Sequence, residues 1–133
     1  MDLTQEIILQ HGRTSPYRGR MKDPTLSTEL DNPLCGDTVK IDIKIAKGEI
    51  EDICFSGEGC LISQASASLM VGEAKRVKDL SKIRKFNEKT VFNLLGIPLT
   101  PSRIQCATLA LEVLRKAFKT SGFPKAGYLR PEY

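Results

Sequence analysis

Apolar and polar residues alternate over residues 38–45, and this is the clearest periodic pattern in the chain. A period of two places every second side chain on one face of a half-buried β-strand, here Val39, Ile41, Ile43 and Ile45. Lys47-Gly48 has the composition of a tight turn, and residues 50–56 have the pattern of a returning strand. Residues 38–56 are therefore predicted to form an antiparallel hairpin.

A three- and four-residue spacing of apolar side chains predicts helices near both ends of the chain. Residues 2–11 are predicted to form a short amphipathic helix with Asp2 as a candidate cap and an apolar face of Leu3, Ile7 and Ile8. The last helix is the longest, with a core-facing stripe of Ile104, Ala107, Leu111, Leu114 and Phe118. Two overlapping signals mark its start: Thr100-Pro101 as cap and first-turn proline, and a capping box formed by Ser102 and Gln105.

The middle of the chain contains shorter helical segments. After Cys60 the sequence is rich in small residues, which suits a helix packed closely against another element. Residues 79–86 and 88–95 are predicted to form two further short helices. Residues 12–34 are rich in Gly, Pro, Ser, Thr and Asn, and we predict a long loop there with a short edge strand near residues 25–30.

Length and composition fit one compact domain. The chain has 133 residues, of which 41% are hydrophobic and 27% charged, so we expect a single domain over residues 1–133. No apolar run is long enough to span a membrane, and residues 1–6 lack the basic start and apolar stretch of a secretory signal. These features predict a cytoplasmic protein with no membrane partner.

Charge is distributed unevenly along the chain. Residues 1–66 carry 7 Lys/Arg and 11 Asp/Glu, whereas residues 67–133 carry 13 and 5. Seven of the basic residues lie between Lys75 and Lys89. This basic stretch fits either a solvated helix face or a docking surface for an acidic protein. A nucleic-acid partner is not expected, because no aromatic stacking residues and no glycine-rich phosphate loop accompany the basic residues.

The four cysteines are Cys35, Cys54, Cys60 and Cys106. Disulfides are disfavoured because the cytoplasm is reducing and a core of this size needs no covalent cross-link. No two cysteines have the Cys-x-x-Cys spacing of a zinc ribbon, so any shared site must be assembled by folding. Cys54, in mid-strand, fits a buried hydrophobic residue, and the single histidine, His11, fits a capping or surface role rather than metal ligation.

The other three cysteines fall at the predicted ends of helices or strands, where side chains can converge. Cys35 lies two residues before Asp37, and Cys60 immediately precedes a helix, whose unpaired amides favour a thiolate. Cys106 lies early in the last helix, with Arg103 one turn before it to offset negative charge or to pair with Asp37. Three thiolates and a carboxylate can complete a zinc site or hold an iron–sulfur cluster, and ligand type alone does not separate the two.

Three segments resemble the signature blocks of the NifU N-terminal family, which comprises the IscU and SufU iron–sulfur assembly proteins. They are Asn-Pro-Leu-Cys-Gly-Asp at residues 32–37, Gly-Glu-Gly-Cys-Leu-Ile-Ser-Gln-Ala-Ser at 57–66 and Arg-Ile-Gln-Cys-Ala-Thr-Leu-Ala at 103–110. The motifs are closest to SufU. The 46-residue separation of Cys60 and Cys106 is closer to IscU, since SufU carries an extra segment there.

The resemblance implies an α+β fold in which a small, mostly antiparallel three-stranded sheet packs against about five helices, with a metal site at one exposed end. It implies Cys35, Asp37, Cys60 and Cys106 as metal ligands and Cys106 as the acceptor of persulfide sulfur. The implied cofactor is a transient 2Fe-2S cluster or a zinc ion. The implied partners are a cysteine desulfurase and apo iron–sulfur recipient or carrier proteins, and a homo-oligomer around a bridging cluster remains an open alternative.

Three functions fit these features. The first is a scaffold that accepts persulfide sulfur, builds a labile 2Fe-2S cluster and transfers it, and the missing SufU segment favours this function. The second is a zinc-dependent, SufU-like sulfurtransferase that stimulates a SufS-type desulfurase, which Gln105 favours because IscU has a histidine there. The third is an adaptor with a structural metal, whose basic stretch docks partners. A scaffold or carrier is thus favoured over an enzyme.

Overall fold

Three strands and five helices form an α+β fold. The structure is a computed structural model that describes residues 3–32 and 36–120. Within these residues the elements are α1 (Leu3–Thr14), β1 (Leu26–Asn32), β2 (Asp37–Ala46), β3 (Glu49–Glu58), α2 (Leu61–Val77), α3 (Leu80–Ile83), α4 (Glu88–Leu95) and α5 (Pro101–Thr120). The predicted fold class is confirmed. None of the helices in the described ranges is long and apolar enough to cross a membrane.

The sheet has the strand order β1-β2-β3, and both neighbouring pairs are antiparallel. Ile41 of β2 lies opposite Thr28 on one side and Phe55 on the other. Lys47 and Gly48 join β2 to β3 with φ angles of 54° and 77°. Two successive positive φ angles match the right-handed twist of a hairpin. The predicted hairpin and the predicted edge strand before it are both confirmed.

The core lies between the sheet and helices α2 and α5. The sheet contributes fully buried apolar side chains, among them Val39, Ile41, Ile43, Ile53 and Phe55. Ala65 and Ala67 of α2 have no exposed surface, and the Ser66 hydroxyl donates a hydrogen bond to the Ala107 carbonyl of α5. Small side chains therefore bring the two helices together, as the composition after Cys60 predicts.

Helix α1 is longer than predicted and turns a different face to the protein. Of the predicted apolar face, Ile8 is 4% exposed, but Leu3 is 72% and Ile7 38% exposed. Gly12 lies so close to Leu61 that a Cβ would overlap the leucine side chain. Ile8 and Gly12 are four residues apart and therefore share one face of the helix. The close approach of Gly12 to Leu61 turns that face toward the rest of the protein, so Leu3 and Ile7 face the solvent.

Helix α5 begins at the first of its two predicted signals. Pro101 is its first residue, so that Ser102 and Gln105 lie inside the helix rather than at its cap. The predicted stripe is buried at Ala107, Leu111, Leu114 and Phe118. Ile104 is the exception, with 36% of its surface exposed beside an apolar groove of about 240 Å³ that Phe92, Ile97, Pro98 and Leu99 also line.

Six of the seven basic residues in the stretch 75–89 are exposed, as a solvated surface requires, but they do not share one helix. Lys75 and Arg76 end α2, and Lys78 caps that helix with a φ of 67°. The positive φ redirects the backbone, so the remaining basic residues belong to α3, α4 and the turns between them. Arg76 forms an ion pair with Glu73 at 2.6 Å.

Candidate metal site

Three elements begin close together at one end of the sheet. Asp37 is the first residue of β2, Cys60 directly precedes α2, and Cys106 lies in the second turn of α5. One carboxylate oxygen of Asp37 and the Sγ atoms of Cys60 and Cys106 all lie within 4.8 Å of one another. Asp37 has no exposed surface, Cys106 is 7% exposed and Cys60 is half-buried. Folding therefore brings together three of the four predicted ligands.

Asp37 and Cys60 are joined by two hydrogen bonds. The backbone N–H of Cys60 donates to Oδ1 of Asp37 at 2.7 Å, and the Cys60 thiol donates to Oδ2 at 3.3 Å. The Ser63 N–H donates to the Cys60 sulfur at 3.4 Å, so Cys60 caps α2. The carboxylate is thereby held beside the thiol, and the free amide of the first helical turn points at the sulfur.

The glycines before Cys60 allow this close approach. Gly59 has a φ of 143°, and a Cβ built on it would overlap the carboxylate and the Cα of Asp37. Gly57 has a φ of 145°, and its Cβ would overlap the carbonyl of Thr38. The Gly-x-Gly sequence is therefore required by the contact between the end of β3 and the start of β2.

Cys106 is positioned by the packing of α5 on α2. Its Sγ lies 3.8 Å from the Ser102 carbonyl one turn earlier. The buried Ser66 hydroxyl binds the carbonyl of Ala107, the residue next to Cys106, and thus sets the position of α5 along α2. Cys60 precedes α2 and Cys106 lies in α5, so the packing of these helices brings the two sulfur atoms within 4.8 Å of each other.

The two other predicted site residues, Cys35 and Arg103, are not among the three groups that converge within the described residues. Cys35 lies outside the described residues, two positions before Asp37 in the sequence. Arg103 is exposed in the first turn of α5, and within residues 3–32 and 36–120 its predicted ion pair with Asp37 is not present.

Cys54 and His11 lie apart from these ligands. Cys54 is half-buried, rather than fully buried as predicted, because it faces away from the core opposite Asp42. Burial raises the pKa of its thiol, and the carboxylates of Asp42 and Asp52 raise it further. His11 neither caps α1 nor binds the ligand cluster; its Nδ1 lies 2.6 Å from the Ser68 hydroxyl of α2, and burial lowers its pKa.

Several residues that support the ligands were not recognised from the sequence. Ser63 could have been recognised, because it lies three residues after Cys60, the N-cap of α2. The N–H groups of a first helical turn have no partner within the helix and therefore take one from the cap. Ser66, Gln64 and Arg18 could not have been recognised, because their partners Ala107, Thr38 and Gly57 are distant in the chain. Such contacts exist only after the tertiary fold has formed.

Two thiols and a buried carboxylate form a partial coordination sphere for a metal ion. Zinc and iron both accept thiolate and carboxylate ligands, and a fourth donor would complete a tetrahedral site. The hydrogen-bonded protons on the cysteines would leave when a metal binds, so binding must release protons. The donor set therefore fits either zinc or the iron of a small cluster.

The chain is similar to known proteins along most of its length. The NifU-like N terminal domain family matches residues 4–123. The iron–sulfur cluster assembly scaffold protein IscU of Thermotoga maritima is 34% identical, over 90% of this chain and 94% of its own. The zinc-dependent sulfurtransferase SufU of Bacillus subtilis is 29% identical, over 86% of this chain and 88% of its own.

A solved structure shares the fold. It comes from Fervidobacterium islandicum and is described as a candidate iron–sulfur cluster assembly scaffold for the SUF system. It superposes with a TM-score of 0.65 and 25% identity, covering 84% of this chain and 93% of that one. Sequence and fold agree, and the chain belongs to the NifU-like N-terminal domain family.

Proposed function

We propose that this protein is an iron–sulfur cluster assembly scaffold that builds a labile 2Fe-2S cluster on Cys35, Asp37, Cys60 and Cys106. The observation that carries the proposal is the convergence of Asp37, Cys60 and Cys106, whose ligand atoms lie within 4.8 Å of one another. The family relationship supports it, because the Thermotoga maritima relative is named as a cluster assembly scaffold. Iron and sulfide are the substrates of this reaction and the cluster is its product.

The sulfur would arrive as the terminal atom of a persulfide on a cysteine desulfurase. A thiolate of the scaffold, proposed to be that of Cys106, attacks this terminal sulfur and forms a new S–S bond. The desulfurase S–S bond breaks and its cysteine leaves as a thiolate, so the transfer needs no oxidant or reductant. Reduction of the transferred sulfur to sulfide then requires electrons from ferrous iron and from an external electron donor.

Burial distinguishes the two thiols in this step. Cys106 is 7% exposed, whereas Cys60 is half-buried at the mouth of the same cluster. Attack by Cys106 therefore requires the first turn of α5 to move, and residues 101–105 of that turn are all exposed. Cys60 can receive sulfur without such a movement, and sulfur bound there would lie next to Cys106.

Asp37 is proposed to make the product releasable. A carboxylate is a harder ligand than a thiolate and holds iron less durably, so an aspartate in place of a fourth cysteine favours cluster transfer. Its contact with the Cys60 N–H holds the carboxylate in position before iron arrives. The proposed partners are a cysteine desulfurase and apo iron–sulfur recipient or carrier proteins. The setting is proposed to be cytoplasmic, with residues 1–133 acting as one domain.

A second candidate is a zinc-dependent sulfurtransferase. The similarity to SufU of Bacillus subtilis, which is named for that activity, favours it. In this alternative the same residues would hold zinc, and one of the cysteines would accept the sulfur. The same donor set serves both functions, so the metal content of the working protein is what separates them.

Anaerobic reconstitution with a cysteine desulfurase, cysteine, ferrous iron and a thiol reductant tests the proposal. The scaffold function predicts iron and acid-labile sulfide in equal amounts on the wild-type protein, and their loss in Cys60→Ser. Cys54→Ser is the matched control and should retain both. Stoichiometric zinc without sulfide, together with desulfurase stimulation that is lost in Cys106→Ala, would establish the sulfurtransferase instead.

A further inference from the structure

An exposed arginine, Arg18, reaches from the segment between α1 and β1 to the end of β3, just before Cys60. Residues 17–19 lie beside β3, where the Phe55 N–H donates to the Tyr17 carbonyl and the Gly19 N–H donates to the Phe55 carbonyl. From there the Arg18 guanidinium donates to the Gly57 carbonyl at 3.0 Å. It also lies 4.8 Å from the centre of the Phe55 ring, within the range of a cation–π contact.

The second branch of the Arg18 guanidinium donates to a buried glutamine. The bond to Oε1 of Gln64 is 3.0 Å long, and Gln64 is 4% exposed. Nε2 of Gln64 donates to the Thr38 carbonyl at 3.3 Å and to the Ser63 hydroxyl at 3.2 Å. The amide is thus satisfied at both ends, as a buried polar group requires.

The partners of this pair flank the metal ligands. Thr38 follows Asp37 directly, Gly57 begins the Gly-x-Gly segment that ends at Cys60, and the Ser63 hydroxyl donates to the Cys60 carbonyl at 3.1 Å. Arg18 and Gln64 therefore connect the backbone on both sides of the Asp37–Cys60 contact. Neither side chain belongs to the three converging donor groups, Asp37, Cys60 and Cys106.

We propose that Arg18 and Gln64 are positioning residues of the metal site, which hold the segments carrying Asp37 and Cys60 in the geometry that binds metal. The inference rests on the proposed function, because it concerns the same ligands. Metal sites tolerate only small displacements of their ligands, and loss of an outer hydrogen bond commonly lowers metal affinity about 10- to 100-fold. Arg18 acts through Gly57 and Gln64 rather than on a ligand atom, so we expect the lower end of that range.

Arg20 provides a matched control on the same connecting segment. Its Nε lies 3.1 Å from Oδ2 of Asp42, and its side chain is 59% exposed. Asp42 belongs to no group of converging metal donors within the described residues. Arg18→Ala and Arg20→Ala therefore each remove one exposed guanidinium and its hydrogen bonds, but only the first touches the backbone beside the ligands.

The first measurement is metal affinity in the full-length, reduced protein. Zn²⁺ is titrated in competition with a chromophoric chelator, and Co²⁺ is bound in parallel to record its absorption bands. We expect Arg18→Ala to weaken Zn²⁺ binding about tenfold and to alter the Co²⁺ bands. Arg20→Ala should stay within about twofold of wild type with unchanged bands, even if its thermal midpoint falls. Equal affinities in the two variants would overturn the inference.

Gln64→Met tests the coupling of the pair, because methionine fills a similar volume but neither accepts from Arg18 nor donates to the Thr38 carbonyl. It should weaken Zn²⁺ binding as Arg18→Ala does, and the double variant should lose less than the product of the two single effects. Arg18→Lys, which retains one donor for Gly57, should recover part of the affinity. Independent effects of the two single substitutions would contradict a shared positioning role.

The second measurement uses the metal-free protein. The rate at which iodoacetamide alkylates Cys60, followed by peptide mass spectrometry, should rise several-fold in Arg18→Ala and not in Arg20→Ala. If wild type binds neither Zn²⁺ nor Co²⁺, the proposed function fails, while a selective rise in Cys60 alkylation would still support positioning. If wild type binds metal but Arg18→Ala changes neither affinity nor alkylation, positioning fails and the proposed function stands.

Discussion

Replacing Gly59 with alanine tests the geometry of the candidate site directly. The added methyl group would overlap the carboxylate and Cα of Asp37. Asp37 has no exposed surface and starts a central strand, so it cannot move away freely. We expect the carboxylate to lose its bond to the Cys60 N–H, which is 2.7 Å long in the native protein.

Two contributions set the magnitude. A residue with a side chain held at a φ of 143° is strained by about 1–3 kcal/mol. Loss of the hydrogen bond between the buried carboxylate and the Cys60 amide costs a further ~1.5–3 kcal/mol. Gly59→Ala should therefore lower the free energy of unfolding of the metal-free protein by about 2.5–6 kcal/mol and also weaken metal binding.

Gly96→Ala is the matched control. Gly96 caps α4 at a φ of 69°, and a Cβ there would meet only the Thr4 methyl group at 3.4 Å. The control should cost about 1–2 kcal/mol, from positive φ alone, with metal binding unchanged. Urea unfolding of both variants, followed by circular dichroism, measures the difference. If Gly59→Ala were no less stable than Gly96→Ala and bound Co²⁺ with the native spectrum, the close contact would not be essential.

Three further predictions concern the structure around the site. Ser66→Ala should lower the free energy of unfolding by about 1 kcal/mol, because the bond to the Ala107 carbonyl is lost, and urea unfolding against a Ser81→Ala control measures this. Burial lowers the pKa of His11 below its usual 6.5, so its neutral form is favoured on folding and stability should decline as pH falls below that value. In His11→Gln the loss of stability between about pH 7.5 and 5.5 should be smaller, and an unchanged pH dependence would contradict this. Burial raises the pKa of Asp42, but the hydrogen bonds that its carboxylate accepts from Ser27, Met21 and Arg20 outweigh burial, so the net pKa is lowered. Because these bonds stabilise the folded protein, Asp42→Asn should lower the thermal midpoint without changing metal affinity.

Local signals in the sequence were sufficient to predict most of the elements. The alternation from Val39 to Ile45 specifies β2 because one face of that strand is buried, and Lys47-Gly48 supplies the turn that its twist requires. The start of α5 followed from Thr100-Pro101, since proline at the first helical position needs no donor. These features depend on residues that are close in the chain.

Features that depend on tertiary contacts were not predictable in the same way. The face of α1 is set by the approach of Gly12 to Leu61, and the basic stretch is divided by the positive φ of Lys78. The candidate ligands Asp37, Cys60 and Cys106, whose donor atoms converge, were predicted from family motifs and from their places at element ends. The contacts of Arg18 and Gln64 join residues far apart in sequence and have no local signature.

Cluster transfer tests the central claim most directly. The protein is loaded anaerobically with iron and sulfur by a cysteine desulfurase, separated from free ions and mixed with an apo-ferredoxin in the presence of an iron chelator. The scaffold function predicts that holo-ferredoxin forms despite the chelator, that Cys54→Ser behaves as wild type, and that Cys60→Ser forms none. A protein that retains only zinc after loading, or a ferredoxin that stays empty with wild type, would contradict it.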